Sequence, residues 1–308
     1  MPRWKIGIWM KKRRHHYVWQ HYLESWADVD DGQIYCLREG KIFKTNPINV
    51  AVKGDFYRLK EFSVDDISHL KEIIKRCPDF LQQEYNNLIV LFDILFKFKR
   101  KAEIDGTLDT ELESILDVQI NNFEENIHTS VENSGMKYLH MLLNKDLSFY
   151  GSKPDAILFI KYLCLQYMRT EKRRVNSIKA TSWQNVIDTN KIWNILTHIF
   201  SANMAWSILN DINEFTLLVF DNKTDNPFIT GDQPVINTHG TVTALTEQVH
   251  ELEFYYPLSP SKAMVLTKTP EKHLQVTAEI VDMHNHRIVL GSHQQLFSCS
   301  EESLIRLL

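Results

Sequence analysis

The spacing of apolar residues changes along this chain of 308 residues, and the change restricts the folds that it can adopt. Between about 63 and 215, apolar side chains recur every three or four positions, as they do along one face of a helix. From about 216 to 280, short runs of β-branched and aromatic residues alternate with Pro, Gly and Asn, which is typical of strands and turns. The sequence therefore predicts an α+β fold with a long helical middle region and a β-rich C-terminal third.

Shorter elements are predicted at both ends of the chain. The runs "QIYCL" and "KIFK" are typical of strands, and the residues between them, Arg38–Gly40, suit a hairpin turn. Ser63 suits the start of a helix, and Pro78 should interrupt the helical pattern that follows. The run "HLQVTAEIV" has the composition of a strand, and a last helix is expected over about 280–297. We expect all of these elements to form a single domain, 1–308.

Charge and cysteine content restrict the class of protein. The net charge is −4, so there is no overall basic excess of the kind that indicates nucleic-acid binding, and only a local basic patch could serve it. The four cysteines lie far apart without a CxxC pair, which disfavours a cysteine zinc site and is typical of a reducing compartment. The apolar run Leu88–Phe96 is too short to cross a bilayer. We therefore expect a cytoplasmic protein that does not bind membranes.

The stretch "HHYVWQHYLESW", 15–26, is unusually rich in histidine and aromatic residues. If it is helical, His16, Gln20 and Leu23 share one face, and an imidazole suits proton transfer near neutral pH. The basic run "KKRR", 11–14, directly precedes it and could follow a phosphate backbone. Alternatively, the stretch is a half-buried structural element whose histidines bond to backbone carbonyls.

Histidine spacing leaves metal binding open. His16 and His21 are five residues apart rather than the four of a helical zinc pair. A later cluster of His284, His286 and His293 could add ligands. The cofactor is therefore unknown, with a divalent metal as one possibility.

Polar residues in two further stretches have both a functional and a structural interpretation. Gln166 and Arg169 share a face of a strongly apolar helix, where a cation needs a partner, either an anionic ligand or an internal acid. Asp232 lies in a turn between two strand-like runs, where it could act as a general base, orient a histidine or bind a metal. It could instead cap backbone amides. Asn285 lies in the predicted last helix.

Taken in order, these stretches resemble a mostly bacterial family known as a domain of unknown function. Its pattern is HYVPQFYLxxF, then QxxRT, then FITSDNPV, then a PLSP-like strand and a last helix that contains Asn. The positions of this chain that match are His16, Tyr17, Val18, Gln20, Tyr22, Leu23, Gln166, Arg169, Thr170, Thr230, Asp232, Pro234, Pro257, Ser259 and Asn285.

The chain departs from that pattern at several positions. Trp19 replaces Pro, His21 replaces Phe, and Trp26 replaces Phe. Gly231 and Gln233 stand in place of Ser and Asn. The resemblance implies a site that includes His16, Gln166, Arg169 and Asp232, and it implies no particular reaction.

Our first hypothesis is an enzyme of phosphoryl or phosphodiester chemistry that acts on RNA or a nucleotide, in its sharpest form a toxin-like or phage-defence nuclease. The predicted catalytic residues are His16, as general acid or base, and Asp232. A second set would bind the substrate and hold its anionic group. This set contains Gln20, Gln166, Arg169, Thr170 and Asn285.

Three alternatives remain. The same polar residues could bind a small anionic ligand in a sensor module without catalysis. They could form buried hydrogen-bond networks that only specify the fold. A third possibility is an enzyme of another class, such as a metal-dependent hydrolase. The helical region could bind a protein partner or form a homo-oligomer.

Overall fold

A computed structural model describes residues 10–181, 188–240, 251–270 and 276–307. The chain is α+β as predicted, with helices through its middle and strands near both ends. It divides into two compact units, each built from separate stretches of chain. Unit 1 contains Met1–His15, Lys53–Ser130 and Ser177–Ile199, and unit 2 contains His16–Val52, Val131–Asn176 and Phe200–Leu308. The single domain expected from the sequence stays a prediction.

The helices and strands alternate in blocks along the chain. In chain order the helices are α1 (Gln20–Leu23), α2 (Val64–Ile74), α3 (Asp79–Ile104), α4 (Thr110–Leu143), α5 (Lys153–Met168), α6 (Glu171–Thr181), α7 (Thr189–Asn210), α8 (Ala278–Gly291) and α9 (Glu301–Ile305). The strands are β1 (Arg14–His16), β2 (Ile34–Arg38), β3 (Lys41–Thr45), β4 (Val52–Gly54), β5 (Thr216–Asp221), β6 (Thr230–Gly231), β7 (Ile236–Asn237), β8 (Phe254–Ser259), β9 (Lys262–Thr267) and β10 (Gln295–Ser298).

Two helix boundaries follow directly from local sequence. The Ser63 hydroxyl accepts a hydrogen bond from the amide of Asp66 at 3.1 Å, and the Asp66 carboxylate accepts one from the amide of Ser63 at 2.7 Å. This capping box satisfies amides that the first turn of α2 leaves without a partner. Pro78 directly precedes α3, so the predicted interruption is confirmed.

The four-stranded sheets of unit 2 have the orders β3-β2-β10-β6 and β5-β9-β8-β7. A third sheet pairs β1 with β4. The predicted hairpin between β2 and β3 is confirmed, and its turn uses Glu39 and Gly40 at positive φ angles of 52° and 72°. That conformation is common in two-residue hairpin loops because it matches the twist of the strands.

The structure corrects the expectations for two segments. His16 lies in β1, and the first helix begins only at Gln20, because Trp19 before it has an extended backbone. The run "HLQVTAEIV" is not a strand at its end, since Thr277 caps a helix that starts at Ala278. The part of that run at 273–275 lies outside the described residues. The last helix ends at Gly291, and residues 295–298 form β10 because they pair with β2.

The apolar helix α5 is central to unit 2, as its sequence predicts. It is buried on most of its surface, and Gln166 near its C-terminal end and Arg169 directly after it are buried as well. Elsewhere in unit 2, β-sheet residues pack with α8 and α9 in one apolar cluster that includes Phe228, Val265, Val281 and Leu304. Within the part of the chain that the structure describes, no helix has the length and apolar character needed to span a membrane.

Candidate functional site

Arg169, at the C-terminal end of α5, is 1% exposed and has internal partners. One guanidinium nitrogen donates to the Glu132 carboxylate, and another donates to the backbone carbonyl of His16. Burial of a cation is expensive unless a carboxylate and other acceptors are present. The sequence left open an internal acid or an anionic ligand for Arg169, and the structure supplies the internal acid.

Asp232, directly after β6, accepts hydrogen bonds from three backbone amides. The donors are His293 at 2.7 Å, Gln294 at 2.8 Å and Gln295 at 3.1 Å, which connect α8 to β10. Burial raises the pKa of Asp232, while these amides oppose the rise. The carboxylate therefore holds the turn after α8, which is the capping role that the sequence left open.

Gln233 connects the same turn to α5. Its side-chain carbonyl accepts a hydrogen bond from the Thr170 hydroxyl, and its amide donates to the carbonyls of Tyr167 at 3.0 Å and Val235 at 2.7 Å. The Gln233 and Thr170 side chains are both buried. Thr170 is thus bonded to the segment that carries Asp232.

Asn285 on α8 holds the backbone just before that segment. Its side-chain oxygen accepts from the amide of Ile229 at 3.0 Å, and its nitrogen donates to the carbonyl of Pro227 at 2.9 Å. Trp26 adds a bond from its indole nitrogen to the carbonyl of Phe228 at 2.9 Å. Because these bonds fix backbone groups, Asn285 has a structural role that the sequence did not predict.

Tyr22 joins the first helix to the C-terminal sheets. Its hydroxyl donates to the carbonyl of Pro257 at 2.8 Å and lies 2.7 Å from the Thr230 hydroxyl. Its ring stacks on Tyr256 with centroids 4.9 Å apart. Most of the polar residues that the sequence singled out therefore form hydrogen bonds within unit 2, and these bonds connect the segments in which they lie.

The other predicted site residues have different surroundings. His16 is half-buried, and its Nε2 lies 3.1 Å from the carbonyl of Ile48. Gln20 donates to Glu24 at 3.3 Å. Gln166 is 3% exposed, and its side-chain nitrogen has no hydrogen-bond partner among the described residues. The catalytic and substrate-binding roles expected for these residues, for Asp232 and for the rest of the set stay predictions.

An open cavity of about 230 Å³ in unit 2 contains titratable side chains that are accessible to solvent. His21 Nδ1 lies 2.8 Å from a carboxylate oxygen of Glu24. The ring of His140 faces that of His21 edge-on, with centroids 6.2 Å apart. The lining residues are His21, Tyr22, Glu24, Ser25, Leu139, His140, Leu143 and Leu258. Two imidazoles and one carboxylate thus share a pocket with mainly apolar walls.

Local structure explains why these side chains face solvent. The single turn α1 buries Tyr22 and Leu23, which turns His21 outward toward Glu24, three residues further on. In the last turn of α4, Leu139 is buried and the neighbouring His140 is exposed. The sequence indicated His21 only as a possible metal ligand and gave no signal for His140, because only the tertiary fold brings the two together.

Unit 1 contains a buried counterpart of this arrangement. An oxygen of Glu124 lies 2.8 Å from His198 Nε2 and 3.1 Å from His128 Nε2. Burial alone would raise the pKa of Glu124, but the charges and hydrogen bonds of the two histidines lower it to about 2. Burial would lower the pKa of His198, and the Glu124 carboxylate raises it overall.

Two adjacent cations at the start of α6 lack a carboxylate partner among the described residues. Lys172 Nζ donates to the carbonyls of Leu290 at 2.7 Å and Ser292 at 3.1 Å. The Arg173 guanidinium lies 3.7 Å from the centre of the Tyr167 ring. Burial, followed by the charge of Arg173, lowers the pKa of Lys172 to about 8, and burial also lowers the pKa of Arg173.

The described ranges also bear on the metal site that the histidine spacing left open. Within them, no three His, Cys, Asp or Glu side chains come together in a way that could hold a metal ion. Two of the later histidines that the sequence singled out differ in their exposure to solvent. His284 is buried against Tyr255, whereas His286 is exposed.

A family model described as "Protein of unknown function (DUF4238)" matches residues 14–302. No curated protein and no solved structure matches the chain. Because the match covers nearly the whole sequence, the chain belongs to the DUF4238 family of proteins of unknown function.

Proposed function

We propose that this protein cleaves RNA phosphodiester bonds by general acid–base catalysis, with His21 as the base and His140 as the acid. The observation that carries the proposal is the pair of imidazoles that face each other across an open pocket, one of them bonded to Glu24. A carboxylate at Nδ1 orients an imidazole and leaves Nε2 available to take a proton. His140, in the last turn of α4, faces His21 in the pocket and is assigned as the acid.

The reaction needs no further nucleophile, because RNA carries one in its 2′-hydroxyl. His21 Nε2 takes the 2′-hydroxyl proton while that oxygen bonds to phosphorus. The bond from phosphorus to the 5′-oxygen breaks, and the leaving oxygen takes a proton from His140. The products are a 2′,3′-cyclic phosphate and a 5′-hydroxyl, and the two histidines exchange their protonation states.

The walls of the pocket support a nucleotide as substrate. Leu139, Leu143 and Leu258 supply apolar surface, and the half-buried Trp19 ring lies 5.1 Å from that of His21. Nucleobases stack on aromatic side chains and tolerate apolar walls, since every base presents a flat face.

The proposal places proton transfer at a different pair from the His16 and Asp232 expected from the sequence. Both carboxylate oxygens of Asp232 accept hydrogen bonds from backbone amides, so both already have partners within the fold. The backbone carbonyl of His16 accepts a hydrogen bond from the Arg169 guanidinium. The imidazole ring of His16 faces the carbonyl of Ile48. In the proposal, these residues and Asn285 support the framework on which Tyr22 and the pocket depend.

The test uses a single-stranded RNA oligonucleotide and its 2′-deoxy counterpart with purified protein. We expect cleavage of the RNA only, with a cyclic phosphate end detected by mass spectrometry. His21→Ala and His140→Ala should each lower the rate by about 10²–10⁴-fold. His286→Ala, at an exposed histidine on α8, is the matched control and should keep the wild-type rate. Equal cleavage by all variants, or no cleavage by the wild type, would refute the proposal.

A narrower part of the proposal is a toxin-like or phage-defence role in a bacterial cell. Expression in a bacterial host should then produce discrete RNA fragments and slow growth. The His140→Ala variant should leave the RNA intact and growth normal. Fragmentation that persists in that variant would place the activity outside the pocket.

A second candidate is a sensor that binds a small anionic ligand, and Arg173 is the observation that favours it. An arginine that has no carboxylate partner within the described ranges, partly buried beside a lysine, suits a phosphate or carboxylate group. Calorimetric titration with inorganic phosphate should show binding that Arg173→Met removes. Arg306→Met, at an exposed arginine, should leave it unchanged. Equal heats for both variants would exclude this candidate.

A further inference from the structure

Helix α3 presents large apolar side chains to solvent. Val90, Leu91, Ile94 and Phe98 are 53%, 43%, 50% and 52% exposed. Leu91, Ile94 and Phe98 recur at intervals of three and four residues, and Val90 lies four residues before Ile94, so the four form one stripe along the helix. We call these four residues the α3 stripe.

The opposite side of α3 is already used in the core of unit 1. Tyr85, Ile89 and Phe92 on that side are buried. A helix on a protein surface normally has one apolar face and one polar face. Because α3 is apolar on both sides, the α3 stripe has the character of a surface that another molecule covers.

Charged residues continue the stripe at both ends with the spacing of a coiled-coil seam. Positions 84, 87, 91, 94, 98 and 101 alternate intervals of three and four, and Glu84 and Lys101 occupy the outermost two. Both side chains are exposed, and neither has an ion pair or hydrogen bond within the described part of the chain. The seam therefore begins with an acidic residue, Glu84, and ends with a basic residue, Lys101.

We propose that α3 pairs with α3 of a second copy of this chain, antiparallel and about a two-fold axis. An axis that crosses between residues 92 and 93 sets Leu91 of one copy opposite Ile94 of the other. The same axis sets Glu84 opposite Lys101. A parallel pair in register would instead bring like charges together, which is unfavourable. The axis also sets Phe98 opposite Asn87, so a second copy matches the apolar residues at the centre of the seam and the charges at its two ends.

The symmetry gives each favourable contact twice. A two-fold interface uses the same patch on both subunits, so the two charged pairs lie at the two ends of a seam about 26 Å long, at 1.5 Å per residue. The apolar residues lie between them, where water is excluded. This inference does not depend on the proposed RNA cleavage, since α3 lies in unit 1 and the catalytic pocket in unit 2.

Sedimentation analysis of the full chain is the first test. The wild type should sediment as a dimer at micromolar concentration, and Ile94→Glu should be monomeric with an unchanged circular dichroism spectrum. Leu290→Glu, at an exposed leucine of α8, is the matched control and should remain dimeric. A monomeric wild type would overturn the proposal in favour of a different partner, as would a dimer that tolerates Ile94→Glu.

Charge exchange tests the antiparallel register. Glu84→Lys alone and Lys101→Glu alone should each weaken the dimer by about tenfold, because two attractive pairs become repulsive. The double variant should recover wild-type affinity. A mixture of the two single variants should form a heterodimer in preference to either homodimer, since a cation then faces an anion at both ends of the seam. Failure of the double variant and of the mixture to recover affinity would rule out this register.

Discussion

Each unit contains a glutamate beside two histidines, and the two sets differ in their access to water. In unit 1, the side chains of Glu124 and His128 are 1% exposed and that of His198 is 15% exposed. In unit 2, the side chains of His21 and Glu24 are 45% and 47% exposed, and His140 is exposed as well. Identical residue types therefore occur in two opposite environments.

The difference shows that burial decides what such a set can do. In unit 1 the charges have lost water and must satisfy one another, so the set contributes to the fold and has no access to a substrate. The rings of His128 and His198 also stack, with centroids 5.9 Å apart. In unit 2 the imidazoles keep their water and border a cavity, so a ligand can reach them. We attribute structure to the first set and propose catalysis for the second.

The largest expected effect is on the stability of the buried set. Glu124→Gln should lower the free energy of unfolding by about 3–5 kcal/mol, because it leaves the histidines without their carboxylate. Urea denaturation followed by circular dichroism measures this. A loss below about 1 kcal/mol would show that the buried Glu124 carboxylate contributes little to the stability of the fold.

The pH dependence of stability should report the same set. The folded pKa of Glu124 lies at about 2, below its ordinary value of 4.5, so its contribution is present above pH 4.5 and is lost as the pH falls toward 2. The pKa of His198 is raised above 6.5, so its contribution is complete below that pH and is lost as the pH rises through the folded value. Stability from this set is therefore greatest between the two ordinary values.

The midpoint of urea denaturation, measured at a series of pH values, tests this expectation. The Glu124→Gln variant, measured at the same pH values, is the reference. The wild-type curve should fall more steeply than the variant curve below pH 4.5 and above pH 6.5. Parallel curves for the two proteins would contradict the assignment.

A smaller loss of stability is expected when Asp232 is changed. Asp232 extends the comparison to a buried carboxylate whose hydrogen-bond donors are backbone amides rather than imidazoles. Asp232→Asn replaces an acceptor of backbone amides by a group that is half donor, at a cost of about 2–3 kcal/mol. Thermal unfolding of the variant beside Asn226→Ala, at a half-buried surface position, checks the value. A variant as stable as the wild type would reopen a catalytic role for Asp232.

The smallest effect on stability is expected in the open set. Glu24→Gln should change the free energy of unfolding by less than about 1 kcal/mol, because an exposed contact between two side chains contributes little. It should nevertheless slow RNA cleavage by about tenfold, since His21 loses the group that orients it. A stability loss as large as that of Glu124→Gln would remove the distinction between the two sets.

Local sequence was sufficient where local chemistry decides the structure. Ser63, Pro78 and the pair Glu39–Gly40 mark boundaries that depend on capping or on backbone conformation within a few residues. Spacing of apolar residues was also sufficient for the helical middle region. Residues 295–297 were assigned to the last helix, because their strand structure depends on pairing with β2, which is distant in sequence.

The candidate site shows the same limit. For Arg169 and Asp232, the sequence supplied the correct structural alternative, because a buried charge must find partners, but it could not identify those partners. His140 gave no local signal, since its relation to His21 exists only in the tertiary structure. The contrast between Glu24 and Glu124 was likewise invisible, because exposure depends on packing with distant segments.

Chemical rescue tests the central claim most directly. His140→Gly leaves an open cavity that free imidazole can enter, so added imidazole should restore RNA cleavage in a saturable manner, with a pH dependence that follows the pKa of the added base. A substituted imidazole of different pKa should shift that dependence. An inactive variant that no imidazole rescues, beside a wild type that cleaves RNA, would contradict the assignment of His140 as the catalytic acid.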